Sequence, residues 1–312
     1  MNNLIPLFDA LSNINYGSIK IDLPDGEIKR FSSKNNYPQA HFIIKDLAMV
    51  DECLISGDIG FGEAYIKNMW ESNNLADLLL FFALNSEVLE RFFHAHRFKM
   101  FVLYLQAIFR RNTHRGSKKN IQFHYDLGND FYQLWLDKTM TYSSGIFEGK
   151  DSDLQEAQKN KYHQILAKLS TGKTILEIGC GWGGFAYEAS KKGYDVTGLT
   201  LSKEQEKYAN NLGIERFKIK LQDYRTERDK YDNIVSIEMF EAVGRGYWNN
   251  YFQTIRKCLN KGGKAVIQTI IIDENIYKSY QSRVDFIQKH IFPGGFLPSK
   301  SEFIKIAQAN EL

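Results

Sequence analysis

The sequence predicts an α/β chain. Its larger part reads as a doubly wound, Rossmann-like parallel sheet, preceded by a small α+β domain and a basic linker helix. Three observations predict this. From about residue 155, strand-like apolar runs alternate with helical ones. One of those runs ends in a glycine-rich turn, Gly179, Gly181 and Gly183, that leads into a helix. The first 45 residues carry a hairpin signal instead, with no such alternation.

Residues 1–90 form the small domain in this reading. Ile19 to Leu23 alternates apolar and polar residues, Pro24, Asp25 and Gly26 turn the chain, and 27–31 runs on as the partner strand. Residues 40–45 read as another strand, and 57–70 and 74–85 as helices. Residues 91–120 read as a basic helix and linker. No Asp or Glu occurs between Arg91 and Tyr125, while Arg97, Lys99, Arg110, Arg111, Arg115, Lys118 and Lys119 stand among Phe92, Phe93, Phe98, Phe101 and Phe109. Positive charge on an apolar background suits an anionic surface, either phospholipid headgroups or nucleic acid. A buried helix with basic ends has the same composition.

Residues 121–312 hold the sheet domain. Strands read at 174–179, 194–198, 216–221, 231–237 and 263–270, with helices at 183–192, 202–212 and 246–259. Right-handed crossovers bring all the strand carboxyl ends to one rim, where ligands bind. A helical stretch follows residue 270, then a loop at 292–298, then a helix capped by Ser299 or Ser301.

Composition narrows the function classes. The 312 residues are 43% hydrophobic and 25% charged, which fits two folded domains and excludes a disordered or fibrous chain. Mean hydropathy is −0.38, and no apolar run approaches the roughly 18 residues of a membrane span. The first residues lack the basic start, apolar core and cleavage site of a secretory signal. Three widely spaced cysteines, Cys53, Cys180 and Cys258, argue against a disulfide scaffold or a zinc site, so no metal is expected and a reducing cytosol fits best. Aromatics reach 14%, enough for a large core and for lining an apolar or cation-binding pocket.

The glycine turn is shared with dinucleotide-binding domains, but two features separate them. Glu177 stands just before the first glycine, and the spacing is Gly-x-Gly-x-Gly. A carboxylate there repels a pyrophosphate and attracts the amino group of an amino-acid ligand. The pattern therefore favours S-adenosylmethionine. Cys180, between the glycines, has no base placed beside it by the sequence and reads as a small filler.

Further blocks stand in order around this turn: His-Tyr-Asp-Leu-Gly-Asn-Asp-Phe-Tyr at 124–132, Met-Thr-Tyr-Ser-Ser at 140–144, Val-Thr-Gly-Leu-Thr-Leu-Ser-Lys-Glu-Gln at 196–205, Ser-Ile-Glu-Met-Phe-Glu-Ala-Val-Gly at 236–244 and Phe-Ile-Gln-Lys-His-Ile-Phe-Pro-Gly-Gly at 286–295. With Gly-Asp-Ile-Gly-Phe-Gly-Glu-Ala-Tyr at 57–65, they cover nearly the whole chain. On these blocks the sequence resembles the cyclopropane fatty acid synthase family, S-adenosylmethionine-dependent class I methyltransferases that include the mycolic acid modifying enzymes.

The resemblance implies a cofactor site made of Tyr142, Ser143, the turn with Glu177, Gly179, Gly181 and Gly183, then Thr200, Leu201 and Gln205, with Gln222 and Asp223 facing the adenine. It implies transfer of a methyl or methylene carbon to the double bond of an unsaturated phospholipid acyl chain, through a carbocation, giving a cyclopropane fatty acid. Such a pocket must be dry and must stabilise positive charge without a covalent nucleophile, work that suits an aromatic such as Tyr142. The base it implies is a bound bicarbonate. Glu241 matches the family's Glu, Ser144 stands at its Cys position, Gln268 at its His position, and Ile270 matches the residue that contributes backbone. Those two departures resemble relatives that place a methyl or methylene branch on an oleoyl chain. A lipid-binding relative without chemistry is the alternative from another class. A nucleic-acid methyltransferase is disfavoured, since no Asn/Asp-Pro-Pro-Tyr-type motif is present. The expected partners are an unsaturated acyl phospholipid and an anionic membrane surface, reached peripherally from the cytoplasm, with no nucleic acid and with homodimer formation left open. Sheets of this class usually have about seven strands, of which the sequence shows five, so a chain incomplete at its C-terminal end is expected, with an uncovered sheet edge, poor solubility and no methyl transfer by these residues alone.

Overall fold

The computed structural model describes residues 4–89, 116, 127–149 and 153–312. The basic segment 91–119, apart from Gly116, and His124 lie outside the described residues. The chain divides into two compact units, Met1–Ala107 with Arg283–Lys289, and Ile108–Ser282 with His290–Leu312.

In the first unit the elements run α1 (Ile5–Leu11), β1 (Ser18–Asp22), β2 (Ile28–Ser32), β3 (Gln39–Ile44), α2 (Ala48–Ser56), α3 (Asp58–Ile66), β4 (Trp70–Glu71), α4 (Leu75–Leu84) and α5 (Ser86–Leu89). The sheet order is β2-β1-β3-β4. The expected hairpin forms, with β1 antiparallel to β2. Its alternation turns Ile19 and Ile21 inward, where they join Ala40, Phe42 and Ile44 in one core. The helix expected over 57–70 stops at Ile66. Asn68 takes a left-handed φ of +58°, which Asn tolerates better than most residues. The chain then extends so that Trp70 pairs with Ile44 and stacks on Phe61 at 4.3 Å. Residues 283–289 return to this unit, with the Phe286 ring filling the space over Gly62.

In the second unit the elements run α6 (Gly128–Gln133), α7 (Leu154–Leu166), β5 (Thr174–Ile178), α8 (Gly184–Lys191), β6 (Asp195–Thr200), α9 (Lys203–Asn211), β7 (Phe217–Leu221), β8 (Tyr231–Ile237), α10 (Trp248–Cys258), β9 (Leu259–Gln268), α11 (Glu274–Tyr280) and α12 (Lys300–Ala309). The strand order is β7-β6-β5-β8-β9, and every neighbouring pair is parallel. This is the doubly wound, Rossmann-like sheet the alternation predicts. The order reverses between β5 and β8, so the crevice above their carboxyl ends is the expected ligand position.

Both faces of the sheet are covered. On one, Leu176, Ile178 and Ile234 pack against Trp248, Tyr251, Phe252 and Ile255, a helical stripe of α10. On the other, Ile175, Val196 and Val235 pack against Tyr162 of α7 and Phe185, Ala186 and Ala189 of α8. Of the two serines proposed to cap α12, Ser299 does so, accepting from the Glu302 N–H at 3.3 Å. Ser301 bonds to Glu274 instead. Among the described residues, no helix is long and apolar enough to cross a membrane.

The glycine turn sits against the sheet at Gly198 of β6. A Cβ there would stand 2.7 Å from the Phe217 ring and 2.8 Å from Cys180 Cβ. Gly198→Ala therefore overpacks a fixed core and should lower unfolding free energy by about 1–3 kcal/mol. Urea unfolding measures this, and a change under about 0.5 kcal/mol would show that strand and turn separate freely.

Candidate active site

The strand carboxyl ends open into a cleft of about 170 Å³, far more than the ~10–15 Å³ that one water needs. Its walls come from the turn after β5, Thr200 at the end of β6 with Leu201 and Gln205 after it, Gln222 to Arg225 after β7, and Glu238 and Met239 after β8. Tyr142, Ser143, Phe292 and Pro293 close it from other segments.

The glycine turn presents bare backbone to this space. Gly181 has φ +52°, and a Cβ there would meet no atom within 4 Å. Gly179 also lines the cleft. Gly183, expected beside the cofactor, does not line it. It opens α8 with φ +92°, and a Cβ added there would stand 3.4–3.5 Å from Ile214, Phe217 and Ala209.

Glu177, the last acid before the turn, is 3% exposed, and its Oε2 is buried with no hydrogen-bond partner. Burial pushes its carboxyl well above the ordinary range, and the nearby Lys161 ammonium pulls it back down. An unsatisfied buried carboxylate oxygen is costly, and a cationic or N–H-bearing ligand in the cleft would relieve that cost. This orphaned atom beside bare backbone fits the amino-acid end of S-adenosylmethionine. Cys180 is buried, and burial holds its thiol well above its ordinary value, which agrees with a filler rather than a nucleophile.

Lys161 is a site residue that the sequence reading missed. It lies fully buried on α7. Its ammonium donates to Ser143 Oγ at 2.5 Å and to Gln158 Oε1, while Gln158 Nε2 donates to the Ser143 carbonyl at 2.7 Å. Together they fix the strap that carries Tyr142 and Ser143. Burial lowers Lys161 to about 8, opposed by Glu238, Asp137 and Glu177. The signal was its register: Ala157, Lys161 and Ile165 recur every four residues on the buried side of α7. Tyr142 meets Trp135 edge-on at 5.3 Å and stacks on Phe292 at 6.5 Å, so an aromatic wall stands at the cleft.

The other expected cofactor residues form the far wall. Thr200 Oγ1 donates to Gln205 Oε1 at 2.7 Å, and Ser202 caps α9 by accepting from the Gln205 N–H at 3.3 Å. Asp223 pairs with Arg225 at 2.5 Å. The Gln222 amide donates to Glu227 at 3.2 Å.

Ser144, Glu241, Gln268 and Ile270 do not line the cleft, but Ser144 and Gln268 converge on Glu238, which does, and Glu241 holds the Ile270 N–H nearby. Ser144 donates to Glu238 Oε1 through its N–H at 3.0 Å and its hydroxyl at 2.8 Å. Gln268 Nε2 donates to the same oxygen at 2.8 Å and to Ser144 Oγ at 3.1 Å. Glu241 Oε1 accepts from Thr269 Oγ1 at 2.8 Å and from the Ile270 N–H, while its Oε2 is buried without a partner. Burial raises the Glu241 carboxyl, and the Glu238 charge adds to the effect. Glu238 was missed as a site residue. Its only sequence signal is its place just past the end of β8.

A family model described as mycolic acid cyclopropane synthetase matches residues 112–312. The chain is 35% identical over 265 residues to a tuberculostearic acid methyltransferase of Mycobacterium tuberculosis, covering 80% of this chain and 62% of that protein. It is 36% identical over 287 residues to the cyclopropane-fatty-acyl-phospholipid synthase of Escherichia coli, covering 89% of this chain and 71% of that one. Among solved structures it is similar to mycolic acid cyclopropane synthase CmaA1 complexed with SAH and CTAB, with TM-score 0.57 and 35% identity over 62% of this chain and 74% of that one. The cyclopropane synthase MmaA2 of Mycobacterium tuberculosis gives TM-score 0.56 and 32% identity at the same coverage.

The Glu177 geometry has a consequence for ligand-free stability. Its folded carboxyl holds a proton above the ordinary value of 4.5, so between that value and its raised one the folded chain binds more protons than the unfolded chain. The contribution is fully present below 4.5 and is lost as pH rises through the window. Glu177→Gln removes this slope, and the variant should gain stability relative to the parent as pH is raised from 4.5 to 8. Urea unfolding across that range checks it, and parallel profiles would contradict the burial of an unpaired acid.

Proposed function

The chain belongs to the mycolic acid cyclopropane synthetase family, and on that premise we propose that it binds S-adenosylmethionine in the strand-end cleft and methylates the double bond of an unsaturated phospholipid acyl chain, yielding a cyclopropane fatty acid. The observation that carries the reading is the unpartnered Oε2 of Glu177, buried beside the bare backbone of Gly181. S-adenosylmethionine supplies an electrophilic methyl group carried on a sulfonium. Glu177 would accept from its ammonium group, Gly179 and Gly181 would let its backbone-like end approach, and Gln205, Gln222 and Asp223 would border its nucleoside. Tyr142 and Phe292 would keep the reacting end free of water and face the developing cation.

The acyl chain belongs to a bilayer, so we place the enzyme at the cytoplasmic membrane surface. The basic segment 91–119 is the proposed contact, on its charge and interleaved phenylalanines.

Incubating the chain with vesicles of unsaturated phospholipid and methyl-labelled S-adenosylmethionine should label the lipid and add one methylene unit to the acyl mass. Labelled lipid would overturn the expectation that these residues alone are inactive, and unlabelled lipid would overturn the reading. Glu177→Gln should weaken S-adenosylhomocysteine binding about 10- to 100-fold, the worth of one charged hydrogen bond, and calorimetry measures it. Vesicle binding should rise with anionic lipid and fall with salt. Reversing the charge at Arg110 and Arg111 should weaken it, and unchanged binding would remove the segment from the membrane contact.

A further inference from the structure

We propose that Glu238 is the general base of this chain, and that it stands in place of the bicarbonate which the family resemblance implies. The inference rests on the methyl transfer proposed above. The bicarbonate does not fit the residues present, because their donors are already engaged. Ser144 gives both its N–H and its hydroxyl to Glu238 Oε1, at 3.0 and 2.8 Å. Gln268 gives its amide nitrogen to Glu238 Oε1 and to Ser144 Oγ, at 2.8 and 3.1 Å. The Ile270 N–H goes to Glu241 Oε1. An added anion would find no free donor in this set, and would face two carboxylates, Glu238 and Glu241.

Glu238 itself has what a base requires. It lines the cleft, whereas Ser144, Gln268, Glu241 and Ile270 do not. All three hydrogen bonds fall on its Oε1, and Oε2 accepts none among the described residues. Its backbone takes φ +47°, a left-handed conformation that a non-glycine residue adopts at a cost, held by its N–H donating to the Gln268 carbonyl at 2.9 Å. The other two carboxylates lining the cleft are otherwise placed: Glu177 is buried at the turn and Asp223 is paired with Arg225.

The step balances without a further reactant. Once the new methyl group and the adjacent carbocation are on the acyl chain, one methyl C–H bond breaks. The proton goes to Glu238 Oε2, and the electron pair closes the bond to the cationic carbon, giving the three-membered ring. The Glu238 acid then releases its proton to solvent.

Glu238→Gln keeps an oxygen for Ser144 and Gln268 and removes the base. Its methyl transfer should fall by about 100-fold or more, with S-adenosylhomocysteine affinity within about twofold of the parent. The parent's rate should be the same in carbon dioxide-free buffer and in buffer with added bicarbonate. A rate lost in the first and regained in the second, or a variant within about threefold of the parent, would overturn the inference. A binding arm decides the matter even if the parent transfers no methyl group, an outcome that would sink the proposed function instead. In ¹³C NMR titrations of the 312-residue chain, ¹³C-bicarbonate should show no saturable binding to the parent and should bind Glu238→Gly, where the donors are released. Saturable binding to the parent would overturn the inference.

Discussion

A carboxylate buried at the end of a central strand is the constraint around which the second unit is arranged. Glu177 follows the fully buried Ile175 and Leu176 of β5 and is itself nearly inaccessible. Such a group needs a partner, and the fold provides half of one. Lys161 lies close enough to pull its titration down, but it donates to Ser143 and Gln158, leaving Glu177 Oε2 without a hydrogen bond. The electrostatic deficit is thus kept at the mouth of the glycine turn, where a cationic ligand can correct it. Holding it there requires a rigid frame, which the central strands and the packed helices on both faces supply.

Lys161 joins two parts of the site that are distant in sequence. Its ammonium ties the strap at Ser143 to α7, and the strap carries Tyr142 to the cleft. Removing a buried cation of this kind would disturb the ligand's ammonium end and its reacting end together. The same lysine feels Glu238 as well as Glu177, so two of the three cleft acids act on one buried charge. Their surroundings differ: Glu177 is buried with an orphan oxygen, while Glu238 is half-buried and accepts three hydrogen bonds on one oxygen. Two acids in one cleft are thereby set to different work.

The sheet was legible in the sequence because its signals are local. Each strand is a short apolar run, and the Gly179–Gly183 turn marks the passage from strand to helix. The N-terminal hairpin was legible for the same reason, through alternation around Pro24-Asp25-Gly26. The end of α3 was not, since it depends on Asn68 accepting a left-handed φ and on Trp70 finding Phe61, a tertiary preference. In the site, Glu177, Thr200 and Gln205, which the family resemblance singles out, fall along one cleft. Lys161 was overlooked because a lysine in a charged helix reads as solvent-facing unless its register is compared with the apolar stripe. Glu238 was overlooked because its importance comes from residues about 94 and 30 positions away in the chain, and no local pattern encodes such a convergence.

Ser144 and Gln268 make sense as one unit with Glu238 rather than as two separate departures. A cysteine at 144 would donate weakly through its thiol, and a serine hydroxyl is a much better partner for a carboxylate. The amide nitrogen of a glutamine at 268 can reach two acceptors at once, and here it reaches both Glu238 and Ser144. Glu238 in turn is worth its unfavourable backbone only while those donors hold it, since left-handed non-glycine residues persist where the surroundings over-determine them. Changing any one of the three strands the others: without Glu238 the donors lose their acceptor, and without Ser144 or Gln268 the carboxylate loses its orientation. The negative charge at this point of the site is then covalently part of the chain, and its position is set by folding rather than by the concentration of a dissolved anion.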